Sequence, residues 1–356
     1  MSRFLSDRFA ALTPYVPGEQ PRDQRYIKLN TNESPYPPAI GVLEAVSRAE
    51  VSRLNLYSDP TARELESAIA AFYGVNAEQV MATNGSDEAL AFCFQAFCDQ
   101  KTGACFPDIT YGFYEVFARL YGVPAKVIPL DEQFRVTPAL YRGAGGTIFL
   151  ANPNAPTGIA LPLAAVEEIA RQNPNTLLVV DEAYVDFGGE SAVPLIGRYD
   201  NVLVVMTCSK SRNLAGGRVG FVLGSADVIR DLRKIKYSFN PYNLNRLSLL
   251  AGAAALRDEA YFRACVNTIM ETRAWAARAL GERGFEVLDS RTNFVFAKPV
   301  RLGGKAYYEG LKAAGVLVRH FDAPRVRDFV RISIGTPEEM RALLDATDRL
   351  WEEKRA

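Results

Sequence analysis

Short apolar runs alternate with helical segments between about residues 60 and 223, and this alternation limits the fold more than any other feature of the chain. Runs without charged residues, such as residues 177–180 and 202–206, are typical of strands that are buried on both faces. Strands separated by helices usually pair in parallel, within a sheet that helices cover on both sides. We therefore predict an α/β fold with a large domain built on a mostly parallel, mixed sheet.

The same patterns predict individual elements of the large domain. A helix is expected at residues 61–73, and a second at residues 87–98, which is too apolar to be exposed on any face. The predicted strands cover residues 79–82, 103–106, 125–130, 147–151, 177–180, 202–206 and 219–223. No internal repeat or low-complexity tract interrupts this order.

The two ends of the chain differ from this middle part. The first 40 residues contain six prolines, so they are expected to form an extended arm without regular structure. After about residue 245, helices at 247–257, 261–283 and 337–353 flank strands at 293–297, 317–319 and 330–334, a pattern that indicates a small α+β domain. The predicted division is an arm at 1–40, a large domain at 41–245 and a small domain at 246–356.

Composition excludes several classes of function. Lys plus Arg and Asp plus Glu both number 41, so no global field favours nucleic acid or an anionic membrane. No apolar stretch reaches the ~18 residues that span a bilayer, and the first residues lack the apolar core of a signal peptide, so we expect a cytoplasmic protein. Five cysteines without CxxC spacing and a single histidine, His320, argue against metal sites, a disulfide framework and a Ser-His-Asp mechanism.

Candidate site residues follow the ends of two buried strands. Ser209 and Lys210 come after the strand at 202–206, where open α/β sheets place their ligands. A lysine amine can form an imine with an aldehyde, and Asp181, at the end of the preceding strand, suits a protonated pyridine nitrogen. Together with Arg218 these groups fit pyridoxal phosphate. The alternatives are a solvated lysine and a helix-capping aspartate.

A second candidate segment lies at residues 84–88, between a strand and the apolar helix. It contains Ser86 and Asp87 at the start of that helix, where unpaired N–H groups can bind a phosphate. A plain helix cap is the alternative. Arg218 adds a guanidinium that can bind the same phosphate with two hydrogen bonds.

Several segments resemble one family of enzymes. Residues 152–158 (NPNAPTG), 181–184 (DEAY) and 209–218 resemble the signature of fold-type I pyridoxal-phosphate aminotransferases. Residues 29–38, 57–60, 84–88 and 330–336 are similar to the histidinol-phosphate aminotransferase family, in the expected order. The resemblance spans nearly the whole chain and implies a fold-type I transferase with an arm that packs on the small domain.

The resemblance also implies roles for individual residues. Lys210 carries the cofactor and moves the proton, with Asp181 and Tyr184 as its catalytic partners. Tyr111 stacks on the pyridine ring, and Tyr184 hydrogen-bonds the ring hydroxyl. Tyr57 reaches the cofactor phosphate of the partner subunit, which implies a homodimer.

The implied substrate contacts come from the arm and the small domain. Arg331 is expected to bind the anionic end of the substrate, Arg319 is a weaker second candidate, and Asn32 edges the substrate site. A buried arginine paired with an acid and a turn asparagine are the alternatives.

The chain departs from the family at one position. The family has an asparagine before Pro-Thr-Gly, but here Ala155 stands there. Asn154 or Asn152 could supply the missing hydrogen bond to the ring hydroxyl, or Tyr184 could act alone. We place Asn154 among the expected cofactor ligands.

The implied reaction converts histidinol phosphate and 2-oxoglutarate to imidazole acetol phosphate and glutamate, a step in histidine biosynthesis. An aromatic amino acid aminotransferase and a pyridoxal-phosphate-dependent phosphoamino-acid decarboxylase are the alternatives, because one sequence does not show which bond to the α-carbon lies perpendicular to the ring. A nicotinamide-dependent dehydrogenase fits poorly, since the glycine cluster at 143–146 precedes a strand instead of following one.

Overall fold

The computed structural model describes residues 2–353 of the chain. The strands within this range are β1 (Ile27–Lys28), β2 (Val80–Thr83), β3 (Ala104–Pro107), β4 (Ala125–Ile128), β5 (Thr147–Ala151), β6 (Leu178–Asp181), β7 (Val202–Thr207), β8 (Gly220–Leu223), β9 (Phe285–Val287), β10 (Phe294–Pro299), β11 (Val316–Leu317), β12 (Arg319–His320) and β13 (Val330–Ser333). The helices are α1 (Ile40–Ala45), α2 (Arg48–Val51), α3 (Arg63–Tyr73), α4 (Ser86–Phe97), α5 (Phe113–Tyr121), α6 (Leu163–Gln172), α7 (Ala226–Phe239), α8 (Arg246–Arg257), α9 (Glu259–Glu282), α10 (Gly304–Ala313) and α11 (Pro337–Glu353). No helix in this range is both long and apolar enough to cross a membrane.

Seven strands form the central sheet in the order β2-β8-β7-β6-β5-β3-β4. Strand β8 is antiparallel to both of its neighbours, and the other six strands run in one direction. The predicted α/β fold with a mostly parallel, mixed sheet is therefore confirmed. Each of the seven predicted strands is present, with ends that differ by no more than two residues.

Apolar residues on both faces of the sheet bury its middle strands. Every residue of β6 and β7 is buried. Alternate side chains point to opposite faces, so Val180 and Val204 join one hydrophobic cluster while Val179 and Leu203 join another. No residue of α4 is exposed, as its apolar sequence predicts.

A second, four-stranded antiparallel sheet forms from the last third of the chain, in the order β12-β13-β10-β9. It packs with α9, α10 and α11 around its own hydrophobic cluster, which includes Val295, Ile332 and Leu343. Helix α8 packs in the hydrophobic cluster of the central sheet through Leu249, Ala251 and Ala255. The boundaries expected at residues 40 and 245 stay a prediction.

Two expectations from the sequence are wrong in detail. The arm is not free of regular structure, because β1 pairs in parallel with β11 and a short 3-10 helix covers Asp7–Phe9. The strand expected at 317–319 is divided at Val318, since β11 pairs with the arm and β12 pairs with β13. The pairing of β1 with β11 joins segments that lie far apart in the sequence, and it separates β11 from β12.

A glycine in β8 allows the sheet to contact the start of α4. A Cβ atom at Gly220 would lie 2.4 Å from the carbonyl carbon of Gly85 and 2.6 Å from the backbone nitrogen of Ser86. Both are backbone atoms, so no side chain can rotate away to make room. Gly220 therefore fixes the distance between the sheet and the loop at residues 84–86.

We expect Gly220→Ala to lower the free energy of unfolding by about 1 to 3 kcal/mol, the usual cost of overpacking. Gly281→Ala is the matched control, because a Cβ atom there meets nothing within 4 Å and the residue lies within α9. That variant should be more stable by roughly 0.5 to 1 kcal/mol. Urea unfolding of both variants measures the difference, and equal stability of the two would contradict the close contact.

Candidate active site

Polar segments follow the parallel strands at their carboxyl ends and meet at one edge of the central sheet. Asp181 is the last residue of β6, and Lys210 follows β7 by three residues. The segments after β2, β3 and β5 contribute residues 84–88, Tyr111 and Asn154. The common strand direction brings these segments together, since parallel strands end at the same edge.

The start of α4 lies beneath the guanidinium of Arg218. Gly85 precedes the helix with a φ of 79°, and a Cβ atom there would lie 2.4 Å from Nη2 of Arg218. Arg218 donates to Oγ of Ser209 at 3.3 Å and to Oδ2 of Asp87 at 3.4 Å. The free N–H groups of the first helical turn, the hydroxyl and the guanidinium together suit a phosphate dianion.

Lys210 lies between the arm and this candidate phosphate-binding site. Its Nζ is 3.4 Å from the backbone oxygen of Thr31 and 6.0 Å from the centre of the Tyr184 ring. Burial, and then the positive charge of Arg331, lower the pKa of the amine to about 8, while Glu33 opposes the shift. A much larger share of this amine is neutral near pH 7 than is usual for lysine.

Asp181 is 5% exposed, and its carboxylate accepts two hydrogen bonds. The hydroxyl of Tyr114 donates to Oδ2 at 2.9 Å, and the backbone N–H of Ala183 donates to Oδ1 at 3.2 Å. Burial raises the pKa of this carboxyl to about 6, against the lowering effect of the Tyr114 hydrogen bond. The group is therefore mostly ionised at neutral pH and can hold a proton on a nearby ring nitrogen.

Two tyrosines flank the site. Tyr111 donates its hydroxyl to Oδ1 of Asp87 at 2.7 Å, and its ring meets the ring of Tyr114 edge-on. Tyr184 accepts a hydrogen bond from Nδ2 of Asn32 at 2.9 Å, and its own hydroxyl hydrogen remains available for donation. Burial raises the pKa of both hydroxyls, so both stay protonated.

Asn32 links the arm to the rest of the site. Its backbone has a φ of 54°, in the left-handed region, which asparagine tolerates better than most residues. Its N–H donates to Oγ of Ser333 at 2.8 Å, and its backbone oxygen accepts from Nδ2 of Asn293 at 2.9 Å. Asn32 therefore has the turn conformation and lies beside Tyr184, and its contact with the substrate stays a prediction.

The contacts of Asn154 do not support its expected role as a donor to the cofactor. Its amide nitrogen donates to the backbone oxygen of Ile109 and to Oγ1 of Thr157, both at 3.0 Å. An amide has two hydrogens, so none remains for a ring hydroxyl. Asn154 therefore supports the loop after β5. Asn152, the other candidate, is paired with the backbone of Leu161, to which it donates at 3.0 Å and from which it accepts at 2.8 Å.

Arg331 has no acidic partner among the described residues. Its Nη2 donates to the backbone oxygen of Asn30 at 3.1 Å, its Nε is buried without a partner, and its guanidinium lies over the rings of Phe294 and Phe321. Burial lowers the pKa of this group, but an arginine stays charged. The alternative of a buried arginine paired with an acid does not hold, because the guanidinium contacts a carbonyl and two aromatic rings.

Arg319 has a different environment from Arg331. It donates to the backbone oxygens of Val16 at 2.9 Å and Pro17 at 3.2 Å. These contacts hold the arm against the C-terminal sheet, as the resemblance implied. The arm in turn places the ring of Tyr15 on Phe113, with 4.4 Å between ring centres.

Tyr57 lies on the surface. Its side chain is 79% exposed and stacks on Tyr242, with 4.4 Å between ring centres. Its role in a partner subunit stays a prediction.

Sequence reasoning missed two aromatic residues of the site. Tyr114 lies one helical turn after Tyr111, and only that spacing could have indicated that both rings face the same strands. Tyr15 lies between two prolines of the arm, and no sequence signal shows where an extended arm crosses the site. Within residues 2–353, no cluster of His, Cys, Asp or Glu side chains is arranged to hold a metal ion.

Comparison with known proteins identifies the class and then the family. The profile described as aminotransferase class I and II matches residues 24–346, so the protein is an aminotransferase of that class. Within the class it belongs to the histidinol-phosphate aminotransferase family. Histidinol-phosphate aminotransferase 1 of Bradyrhizobium diazoefficiens is 50% identical over 98% of this chain and 100% of the relative.

Two further relatives agree with this placement. Histidinol-phosphate aminotransferase 2 of Dechloromonas aromatica is 49% identical over 97% of this chain and 98% of its own. The crystal structure of histidinol-phosphate aminotransferase from Sinorhizobium meliloti in complex with pyridoxal-5'-phosphate has a TM-score of 0.86, covers 98% of this chain and 100% of its own, and is 24% identical. At that identity it shows the fold-type I architecture alone.

The lowered pKa of Lys210 makes a testable prediction. As pH rises through about 8, its amine loses a proton and becomes nucleophilic, 2.5 pH units below the ordinary value of 10.5. The acetylation rate of Lys210 in the apoprotein, measured by peptide mass spectrometry, should therefore reach half of its maximum near pH 8, and the exposed Lys101 of the same sample is the reference lysine. A rate that still rises beyond pH 10 would show that burial does not perturb this amine.

Proposed function

We propose that this aminotransferase uses pyridoxal phosphate to convert histidinol phosphate and 2-oxoglutarate to imidazole acetol phosphate and glutamate. The names of relatives that match over nearly the whole chain support this substrate. The observation that carries the proposal is Arg331, a buried guanidinium without an acidic partner near the Lys210 amine. The small molecules that it acts on are an amino donor and a 2-oxo acid.

The residues of the site fit this cofactor. Arg218, Ser209 and the start of α4 at Ser86 would hold the phosphate, and Gly85 keeps the space beneath the guanidinium open. Tyr111 would cover one face of the ring. When bound, pyridoxal phosphate supplies an aldehyde for the lysine and a ring that accepts the electrons of the substrate Cα–H bond.

Lys210 acts as the base in this proposal. A pKa of about 8 leaves its Nζ neutral in a useful fraction of molecules near pH 7, so that the atom can take the proton from the α-carbon of the donor. Burial supplies this property, since desolvation disfavours the ammonium form. The amine then returns the proton without a change in net protonation.

Asp181 and Tyr184 keep two protons in place. The ionised Asp181 carboxylate, with Oδ1 shared only with the N–H of Ala183, would stabilise a protonated ring nitrogen. Tyr184 receives a hydrogen bond from Asn32 and can donate its own hydrogen to the ring hydroxyl. We assign this donation to Tyr184 alone, because Ala155 has no side-chain donor, the amide of Asn154 is engaged and the amide of Asn152 is paired with the backbone of Leu161.

The substrates share an anionic group that Arg331 can bind. Histidinol phosphate carries a phosphate and 2-oxoglutarate carries a distal carboxylate, and a guanidinium forms paired hydrogen bonds with either. The guanidinium of Arg331 has five N–H donors. Its Nη2 donates to the backbone oxygen of Asn30, and its Nε has no partner. An anion that binds here accepts hydrogen bonds from the remaining N–H groups of Arg331, and it does not have to displace a carboxylate.

We further propose that the active unit is a homodimer in the cytoplasm. Large apolar side chains are exposed on the segment around Tyr57 and on the end of α7; they include Leu54, Leu56, Tyr57, Tyr237, Phe239 and Tyr242. Burying such a surface against a second copy would bring Tyr57 to the partner's phosphate site, and sedimentation velocity measures the resulting mass.

The substrate is tested by incubating the holoenzyme separately with histidinol phosphate, phenylalanine and O-phosphothreonine. We expect histidinol phosphate alone to convert the bound cofactor to its amine form, which absorbance reports. Conversion by phenylalanine alone would indicate an aromatic aminotransferase, and release of carbon dioxide would indicate a decarboxylase. Lys210→Ala should show no conversion and no pyridoxyl label after borohydride reduction, whereas the control Lys234→Ala, on the exposed face of α7, should behave like the wild type.

Arg331→Lys keeps the charge but loses the paired geometry. We expect kcat/KM to fall by about 10- to 100-fold for both histidinol phosphate and 2-oxoglutarate, the effect of one or two lost hydrogen bonds to a charged group. Arg283→Lys is the control, because Arg283 pairs with Asp348 on the far side of the C-terminal sheet. Loss with one substrate and not the other would disprove a shared anion site.

A further inference from the structure

The carboxylate of Asp181 accepts a hydrogen bond from a residue that lies outside the motifs that carry the family resemblance. Tyr114, in the first turn of α5, is completely buried, and its hydroxyl donates to Oδ2 of Asp181 at 2.9 Å. The two residues are 67 positions apart in the sequence. Each oxygen of the carboxylate therefore accepts one hydrogen bond, Oδ2 from Tyr114 and Oδ1 from the N–H of Ala183.

We propose that Tyr114 is a positioning residue, which keeps Asp181 ionised and fixes the orientation in which its carboxylate can accept a hydrogen bond from the ring nitrogen of the cofactor. This inference rests on the proposed function, since Asp181 needs a protonated ring as its partner. Tyr114 itself touches neither the substrate nor the reacting atoms in this arrangement. It acts through the carboxylate.

The charges around Asp181 explain why a donor is needed. No lysine or arginine among the described residues forms an ion pair with it, and the charge of Asp87 disfavours its ionised form. The titratable groups that face it from α4, α5 and the neighbouring loops are Asp87, Cys93, Tyr111, Tyr114, Glu182 and Tyr184. None of these is a cation, so hydrogen bonds alone offset the cost of burial.

The Tyr114 hydroxyl is suited to this task. Burial and the nearby Asp181 carboxylate raise the pKa of its phenol well above the usual value, so the group remains a donor throughout the working pH range. The ring is fixed by contacts with Tyr111, Phe106 and Phe149. The donor therefore has little freedom to turn away from Oδ2.

Removing the donor should change the proton affinity of Asp181 in a defined direction. A hydrogen bond to an ionised group favours that form, so its loss raises the pKa further above 6. A charge-assisted hydrogen bond corresponds to a shift of about 1 to 2 pH units. The ionised fraction at pH 7 then falls, and with it the ability to stabilise a protonated ring.

The test compares Tyr114→Phe with two matched variants of buried tyrosines. The Tyr141 hydroxyl has no partner among the described residues, and the Tyr307 hydroxyl bonds Thr347 in the C-terminal part of the chain. Carboxyl NMR of the full-length apoprotein, labelled with ¹³C-aspartate, follows the titration of Asp181. Its signal is assigned by its absence in Asp181→Asn.

We expect a midpoint near pH 6 in the wild type, Tyr141→Phe and Tyr307→Phe, and a midpoint higher by about 1 to 2 pH units in Tyr114→Phe. The dissociation constant for pyridoxal phosphate at pH 7 should rise about two- to tenfold in Tyr114→Phe alone, in proportion to the lost ionised fraction. An unchanged midpoint, or an equal shift in the control variants, would overturn the proposal.

A second variant covers the case in which Tyr114→Phe does not fold. 3-Fluorotyrosine inserted at position 114 alone keeps the ring and strengthens the donor, so the midpoint of Asp181 should move below that of the wild type. A midpoint that stays in place would count against the proposal. The NMR titration tests the role of Tyr114 and needs no turnover. The donor assay with the wild-type holoenzyme tests the proposed function. Failure of one therefore does not imply failure of the other.

Discussion

The site depends on positive charge that the fold buries without an acidic partner. Neither Lys210 nor Arg331 forms an ion pair with a described carboxylate. Lowering the Lys210 pKa from 10.5 to about 8 costs the folded state about 3 kcal/mol at neutral pH, a cost that disappears as pH rises from 8 to 10.5. The apolar burial on both faces of the central sheet must exceed this cost. An anionic cofactor and an anionic substrate each lower this free-energy cost. Binding them therefore also stabilises the folded state.

Burial has the opposite effect on the pKa of the acidic group of the site. Asp181 ends a fully buried strand, and its ionised form survives at neutral pH because two hydrogen bonds, from Tyr114 and Ala183, replace the water that it has lost. Desolvation thus raises the proton affinity of an acid and lowers that of an amine at the same sheet edge. The two pKa values, about 6 and about 8, approach each other from opposite sides and bracket neutral pH.

Features set by local pattern could be predicted from the sequence, and features set by distant contacts could not. Apolar runs predicted every strand of the central sheet, and the positions of Asp181 and Lys210 at the ends of two parallel strands predicted that both lie at one edge of the sheet. The strand at β1 and the division between β11 and β12 depend on pairing across nearly 290 residues, which no local pattern records. The same holds for Tyr114, whose role rests on a contact 67 residues away, and for Asn154, whose amide is used by its own loop.

Asn32 connects parts of the molecule that otherwise share few contacts. Its backbone is bonded to Ser333 in β13 and to Asn293 beside β10, while its side chain is bonded to the hydroxyl of Tyr184. The arm, the C-terminal sheet and the Tyr184 phenol are therefore held in register by hydrogen bonds to one residue, whose backbone lies in the left-handed region. A residue at position 32 without an amide side chain would lose the bond to Tyr184 while keeping both backbone bonds.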